Sequence, residues 1–273
     1  VPELPEVETI ARGLRPVLVG RTIIGVSILG PHLVPNHKKN FQQELTGKRI
    51  LDVHRRGKIL IIELDNMHRL AFHLRMTGRL GLMPSEARPE KHVHLLLALD
   101  DQTSLFFQDK RKFGTCGLFA AGELETWTFY AGLGPEPLVL HKDDFAARLT
   151  EKKRQIKGLL LDQRCIAGIG NIYADESLFR AGIHPATTAD KLTSEQMSKL
   201  HAAVQDVLTE AIAAGGSSIR DYRTAAGLVG SFQEIFQVYG RKSLPCLRCN
   251  HLIQTTKVAG RTTAFCPHCQ PLS

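Results

Sequence analysis

The sequence predicts an α+β protein in which a β-rich N-terminal domain is followed by helices and then by a short cysteine-bearing hairpin. Three observations carry that prediction. Short apolar or alternating segments, rich in branched and aromatic side chains, crowd the stretch from 21 to 120. Helical periodicity takes over after GLGPEPL at 132–138, which holds two glycines and two prolines. Two CxxC pairs sit in the last 28 residues.

The chain opens VPELPEVETI. Pro5 suits the first helical position, Glu6 and Glu8 suit the positive end of a helix dipole, and Val7, Ile10 and Leu14 recur at helical spacing. Pro2 and Glu3 lie outside that pattern, so a helix start does not explain them. KILIIEL (58–64), RLAFHLRM (69–76), HVHLLLAL (92–99) and TSLFFQD (103–109) read as strands, with Asp100-Asp101-Gln102 as a hairpin turn between the last two. They predict a sandwich or barrel with the opening helix packed against it. In KLTSEQMSKLHAAVQDVLTEAIAAGG, Thr193 and Gln196 form a capping box and Met197, Leu200, Val204, Leu208 and Ala211 make one apolar face. Gly215-Gly216 ends that helix. At 273 residues the chain exceeds the usual single-core size, and the expected division is 1–131, a linker at 132–138, a helical domain at 139–237 and a finger at 238–273.

No apolar run is long enough to span a membrane, and no basic region followed by an apolar stretch marks a signal peptide. A cytoplasmic monomer is expected. Net charge is +8, and no acidic residue follows Glu234 while Arg241, Lys242, Arg248, Lys257 and Arg261 do. A one-signed segment of this kind favours a polyanionic partner. The run Lys152, Lys153, Arg154 and Lys157 reads as a solvated face. Cys116 and Cys165 stand alone and read as ordinary buried thiols of a reducing compartment.

Cys246-Leu-Arg-Cys249 and Cys266-Pro-His-Cys269 are separated by sixteen residues, the spacing of a two-knuckle zinc site. Four thiolates close a tetrahedron with no open position, so one zinc would be structural. His251 and His268 are possible substitutes but are expected to face solvent. Between the knuckles, HLIQTTKVAGRTTAF reads as a β-hairpin turning near Ala259-Gly260-Arg261, which leaves Arg261 as a candidate phosphate contact.

PELPEVET at the N-terminus, DKRKFG at 109–114, GIGNIYADESLF at 168–179 and the terminal four-cysteine finger resemble, in order and over essentially the whole chain, the formamidopyrimidine-DNA glycosylases of bacterial base-excision repair. The resemblance implies an N-terminal β-sandwich with flanking helices, a helical helix-two-turn-helix domain and a zinc-finger β-hairpin, with double-stranded DNA carrying oxidised bases or abasic sites as partner. It implies a bifunctional glycosylase and abasic-site lyase that excises oxidised purines such as 8-oxoguanine and formamidopyrimidines by β,δ-elimination. The secondary amine of Pro2 would attack C1′ of the damaged nucleotide, with Glu3 as general acid/base and Lys58 contacting DNA beside the lesion. An intact Val1 would acylate that nitrogen. A GTG start codon read literally as valine would account for it, with the initiator expected to be trimmed before the small Pro2.

The same resemblance assigns Met76, Arg111 and Phe113 to the space an extruded base leaves, and Met and Phe are suitable wedges while Arg can hydrogen-bond the orphaned partner base. It assigns phosphate contacts to His73, His92, Asn171 and Arg261. Glu6, Ser217, Tyr222 and Arg223 are its candidates for reading the lesion, the last three on a loop that would close over it. Thr77 stands where some relatives carry an acidic residue. Two other readings compete: an endonuclease-eight-like glycosylase for oxidised pyrimidines, and a non-catalytic zinc-finger DNA-binding protein. Leu4 favours the purine branch, because the sister branch usually has glycine there.

Overall fold

A computed structural model describes residues 2–30, 33, 41–218 and 227–272. The chain forms two compact units, Val1–Ala131 with Ala214–Ser231, and Gly132–Ala213 with Phe232–Ser273.

In the first unit, α1 (Leu4–Leu18) precedes β1 (Ile23–Ile28), the short α2 (Phe41–Leu45), β2 (Ile50–Arg56), β3 (Ile59–Leu64) and β4 (Arg69–His73). Then come β5 (Gly78–Pro84), β6 (Val93–Leu99), β7 (Thr103–Asp109), β8 (Thr115–Phe119) and two single-turn helices, α3 (Glu123–Thr126) and α4 (Thr128–Ala131). Among the described residues the strands make two four-stranded antiparallel sheets, ordered β2-β3-β4-β8 and β1-β6-β7-β5. Both sheets feed one core, where Phe72 meets Phe107 edge-on at 5.6 Å. The sandwich the sequence predicts is therefore present.

Helix α1 closes the core with Leu4, Val7, Ile10, Leu14 and Leu18, all essentially inaccessible to water. Burial of each is worth about 1.5–3 kcal/mol, far more than any helix propensity, so packing holds this helix. Glu3 is its N-cap, which places Pro5 at the second helical position and not the first. Glu8 ties the helix to β2 through Arg55 at 2.7 Å.

The predicted strand at 69–76 ends early, at His73, because Leu74 to Gly78 form a turn closed by the Gly78 N–H donating to the Leu74 carbonyl at 2.9 Å. Lys58 sits not on a strand but with Gly57 in the two-residue turn between β2 and β3, where Arg56 pairs Ile59. Residues 214–231, expected within the helical domain, group with the sandwich. Their anchor is the Glu6 carboxylate, which accepts the Ser217 N–H at 2.8 Å and the Ser217 hydroxyl at 3.1 Å.

The second unit holds α5 (Lys142–Leu149), α6 (Ile156–Leu161), α7 (Asn171–Ala181), α8 (Ser194–Ala213) and the hairpin β9 (Gln254–Val258) and β10 (Arg261–Phe265). The capping box of α8 is formed: Thr193 N–H donates to Gln196 Oε1 at 2.9 Å and Gln196 N–H to Thr193 Oγ1 at 3.2 Å. All five residues of its expected apolar face are buried. In the hairpin, Val258 pairs Arg261 across Ala259 and Gly260, both at positive φ, the signature of a tight two-residue turn.

Lys157 corrects the sequence reading of its basic run. It is fully buried, with Nζ 2.7 Å from Asp175 and 2.7 Å from Thr263 Oγ1, so it joins α6 and α7 to β10. Asp175 in turn accepts the Ala264 N–H at 2.9 Å. Burial pushes Asp175 up to about 7 and the Lys157 ammonium opposes that shift. Removing one partner strands the other in a water-free site, which costs about 3–5 kcal/mol, whereas an apolar pair of similar volume is close to neutral. Lys157→Met should therefore lower stability by about that amount in urea titration, and Lys157→Met/Asp175→Leu should recover most of it.

Candidate active site and metal centre

Pro2 and Glu3 are both buried at the head of α1. The Glu3 N–H donates to Glu6 Oε2 at 2.8 Å, and the other oxygen of Glu6 receives Ser217. The head of the chain and the 214–231 segment therefore share one buried carboxylate. Of the lesion-reading candidates, the structure brings Glu6 and Ser217 together, while Tyr222 and Arg223 lie outside the described residues.

His73 ends β4 beside Ile59, next to the Lys58 turn. Its Nδ1 accepts the Arg75 N–H at 3.1 Å, and its ring lies 5.5 Å from that of Phe129. Burial, helped by the Arg75 and Lys58 charges, pushes its pKa down from 6.5 to about 3. At neutral pH the ring is uncharged, and with Nδ1 accepting, the hydrogen belongs on Nε2. That makes His73 a fixed neutral donor beside a lysine.

Met76 is partly exposed on the β4–β5 turn, and Arg111 and Phe113 are exposed on the β7–β8 loop. The Arg111 guanidinium lies 4.8 Å from the centre of the Phe113 ring. Flanking residues Arg75 and Lys112 adopt positive φ, 52° and 59°, a conformation that costs a side-chain-bearing residue roughly 1–3 kcal/mol and persists only when neighbours enforce it. His92 is exposed on the turn before β6, and its carbonyl accepts the Asp109 N–H at 2.9 Å.

In the second unit, Asn171 is the first residue of α7 and donates from Nδ2 to the Thr262 carbonyl at 3.0 Å, one residue from exposed Arg261. The helix start and the hairpin tip are thereby held in register. The sequence reading missed what Glu176 does: its buried carboxylate accepts the N–H groups of Gln237, Val238 and Tyr239 at 2.8–3.0 Å and fixes the entry to the finger. It also missed Asp109. The only sequence signal for either residue is an acidic side chain inside a motif.

The thiols of Cys246, Cys249, Cys266 and Cys269 lie within 4.8 Å of one another, with sulfur–sulfur distances of 3.4–3.9 Å among them. Tetrahedral Zn–S bonds of about 2.3 Å place sulfurs roughly 3.8 Å apart, so the set fits one structural zinc. Backbone N–H groups of Arg248 and Cys269 point at Cys246 and Cys266 sulfurs at 3.5 and 3.4 Å, as suits thiolates. His251 and His268 are exposed and stack on each other at 4.5 Å. Cys116 and Cys165 are buried free thiols.

Three family models match in order: the formamidopyrimidine-DNA glycosylase N-terminal domain over residues 1–116, the H2TH domain of the same glycosylase over 133–223, and the zinc finger found in FPG and IleRS over 243–272. Sandwich, helix-two-turn-helix and zinc finger on one chain define a class of DNA-repair protein. The formamidopyrimidine-DNA glycosylase of Chloroflexus aggregans is 48% identical over 100% of this chain and 99% of its own. A Lactococcus lactis Fpg mutant in complex with Fapy-dG-containing DNA superposes with a TM-score of 0.93 at 41% identity, covering 99% of this chain and 100% of that one. The Lactococcus lactis Fpg complex with abasic-site DNA gives 0.91 at 40%, covering 98% and 99%. The chain belongs to the formamidopyrimidine-DNA glycosylase family.

Two predictions follow from this geometry. Because the folded pKa of His73 is depressed, its contribution to stability is complete above pH 6.5 and is lost as pH falls toward about 3. The loss is at most about 1.4 kcal/mol per pH unit, and His73→Gln should flatten that part of a melting-temperature profile. Chelating the zinc should remove amide-exchange protection from the finger while β3 and β4 stay protected; retained protection after verified metal loss would count against a structural metal.

Proposed function

We propose that this chain is a bifunctional DNA glycosylase and abasic-site lyase acting on oxidised purines in double-stranded DNA. The observation that carries the proposal is the buried Pro2-Glu3 pair at the head of α1, linked through Glu6 to Ser217. Once the preceding residue is removed, Pro2 presents a secondary amine. An α-amine has a reference pKa of about 8, so a usable fraction is neutral at physiological pH, and burial enlarges it.

The nitrogen attacks C1′ as the damaged base departs with a proton, and opening of the sugar ring leaves an iminium ion. That cation is the electron sink for loss of a C2′ proton and β-elimination of the 3′ phosphate, then for δ-elimination of the 5′ phosphate. Water hydrolyses the remaining iminium ion and regenerates the amine. Glu3 is the acid/base that serves the sugar ring oxygen and the eliminations. Lys58 supplies positive charge beside the lesion, and His73, as a neutral Nε2–H donor, takes a phosphate oxygen without adding charge next to the reacting amine.

Extrusion of a base costs a few kcal/mol, and Met76, Arg111 and Phe113 fill the space it leaves. His92, Asn171 and Arg261 complete the phosphate contacts, with Arg261 carried on the tip of the zinc hairpin. Tyr222 and Arg223 belong to the loop proposed to close over the lesion. Zinc holds the hairpin shape and takes no part in the chemistry. The enzyme is proposed to work as a cytoplasmic monomer.

Glu3→Gln should bind lesion duplex with little change yet lose at least about 100-fold in turnover, as expected for general acid/base catalysis. Measured side by side, the wild type should excise 8-oxoguanine opposite cytosine faster than thymine glycol. Normal turnover by Glu3→Gln, or preference for thymine glycol, contradicts the respective assignment.

A further inference from the structure

Asp109 is a charged residue with no exposed surface, lying at the end of β7 between the two loops that carry Met76, Arg111 and Phe113. Its Oδ2 accepts the Phe113 N–H at 2.9 Å and the Gly114 N–H at 2.7 Å. Its Oδ1 accepts the Arg111 N–H at 3.1 Å and the Thr77 hydroxyl. Thr77 Oγ1 itself accepts the Arg111 N–H at 3.1 Å. Four donors thus satisfy one carboxylate, which is close to its full accepting capacity. One donor comes from the β4–β5 turn and three come from the β7–β8 loop.

The surrounding backbone is shaped to this carboxylate. A Cβ on Gly78, which pairs Asp109 across β5 and β7, would lie 2.5 Å from the Leu74 carbonyl oxygen. A Cβ on Gly114 would lie 3.1 Å from Asp109 Oδ2 and 2.9 Å from the Phe107 ring. A side chain at Gly78 would force the Leu74–Gly78 turn apart, and one at Gly114 would press on the Phe107 ring and the Asp109 carboxylate. Lys112, between Arg111 and Phe113, is held at positive φ by the hydrogen bonds on either side of it.

We propose that Asp109 is a positioning residue that locks the Met76 turn and the Arg111–Phe113 loop into one preformed wedge, so that the side chains filling the vacated base position enter the duplex together. The proposal rests on the glycosylase reading above. Asp109 touches no reacting atom; it acts through Thr77 and through three backbone amides. A wedge ordered before binding loses little conformational freedom on insertion, and its benefit is confined to the step in which a base leaves the stack.

The test compares a substrate that needs extrusion with one that does not. Asp109→Asn keeps the shape but turns an N–H group toward backbone donors, leaving buried amides unpaired. Thr77→Val removes only the hydroxyl that bridges the two loops, with its bond to Asp109 and its bond from the Arg111 N–H. On an 8-oxoguanine:cytosine duplex, single-turnover excision should fall by about 100-fold in Asp109→Asn and about 10-fold in Thr77→Val, a change of about 1.4 kcal/mol per tenfold step. Borohydride trapping on a duplex with a preformed abasic site should stay within about threefold of wild type, because no base remains to be extruded. The fluorescence of 2-aminopurine placed opposite the lesion, which reports wedge insertion, should rise correspondingly more slowly in both variants. Equal losses on both substrates, or an unchanged rate of 2-aminopurine response, would overturn the proposal. If Asp109→Asn does not fold, Thr77→Val alone decides by the same ratio. Loss of wild-type trapping on abasic DNA would instead strike the glycosylase reading itself.

Discussion

The buried carboxylate of Glu6 is the constraint on which the proposed catalytic end of this chain depends. It receives the Glu3 N–H from its own helix start and both the N–H and the hydroxyl of Ser217 from more than two hundred residues away. Hydrogen bonds to an ionised group contribute about 1.5–3 kcal/mol each, and leaving such a carboxylate unpaired would cost several kcal/mol. The two segments accordingly hold each other in place. Pro2, one residue before Glu3, inherits that fixed position, so the proposed nucleophile is anchored in a part of the chain that ordinarily frays.

The same device recurs. Asp109 gathers the amides of the β7–β8 loop, and Glu176 gathers those of Gln237 to Tyr239 at the entry to the zinc finger. In each case a rigid helix or strand carries the acid and an irregular segment supplies the donors. An irregular backbone has amides that no ladder satisfies, and a buried carboxylate satisfies several at once. Loops so tied can present Met76, Phe113 or Arg261 to a partner at little ordering cost. The neutral His73 beside Lys58 shows the complementary economy: burial, with the Arg75 and Lys58 charges, keeps a second positive charge from forming next to the lysine.

Much of this was legible in the sequence because the signals are local. The branched and aromatic runs HVHLLLAL and TSLFFQD, the Thr193 to Gln196 box and the spacing of four cysteines each need only a short window, and all three correspond to what the structure contains. Features set by distant partners were not legible. Lys157 looked like one more solvated cation because its carboxylate lies eighteen residues on and its hydroxyl partner more than a hundred. The roles of Asp109 and Glu176 were not legible because nothing in the chain order shows which amides a carboxylate will meet. The early end of β4 at His73 follows from the Leu74–Gly78 turn, whereas the alternating pattern continues to Met76.

What remains decisive is the atom that becomes bonded to deoxyribose. Fully active protein should be reduced with borohydride on an abasic duplex, digested, and sequenced by mass spectrometry alongside its intact mass. The mechanism requires a chain beginning at Pro2 and a sugar remnant on the nitrogen of that proline. A remnant on Lys58 or another side chain, or full activity from protein still carrying a residue ahead of Pro2, would contradict it.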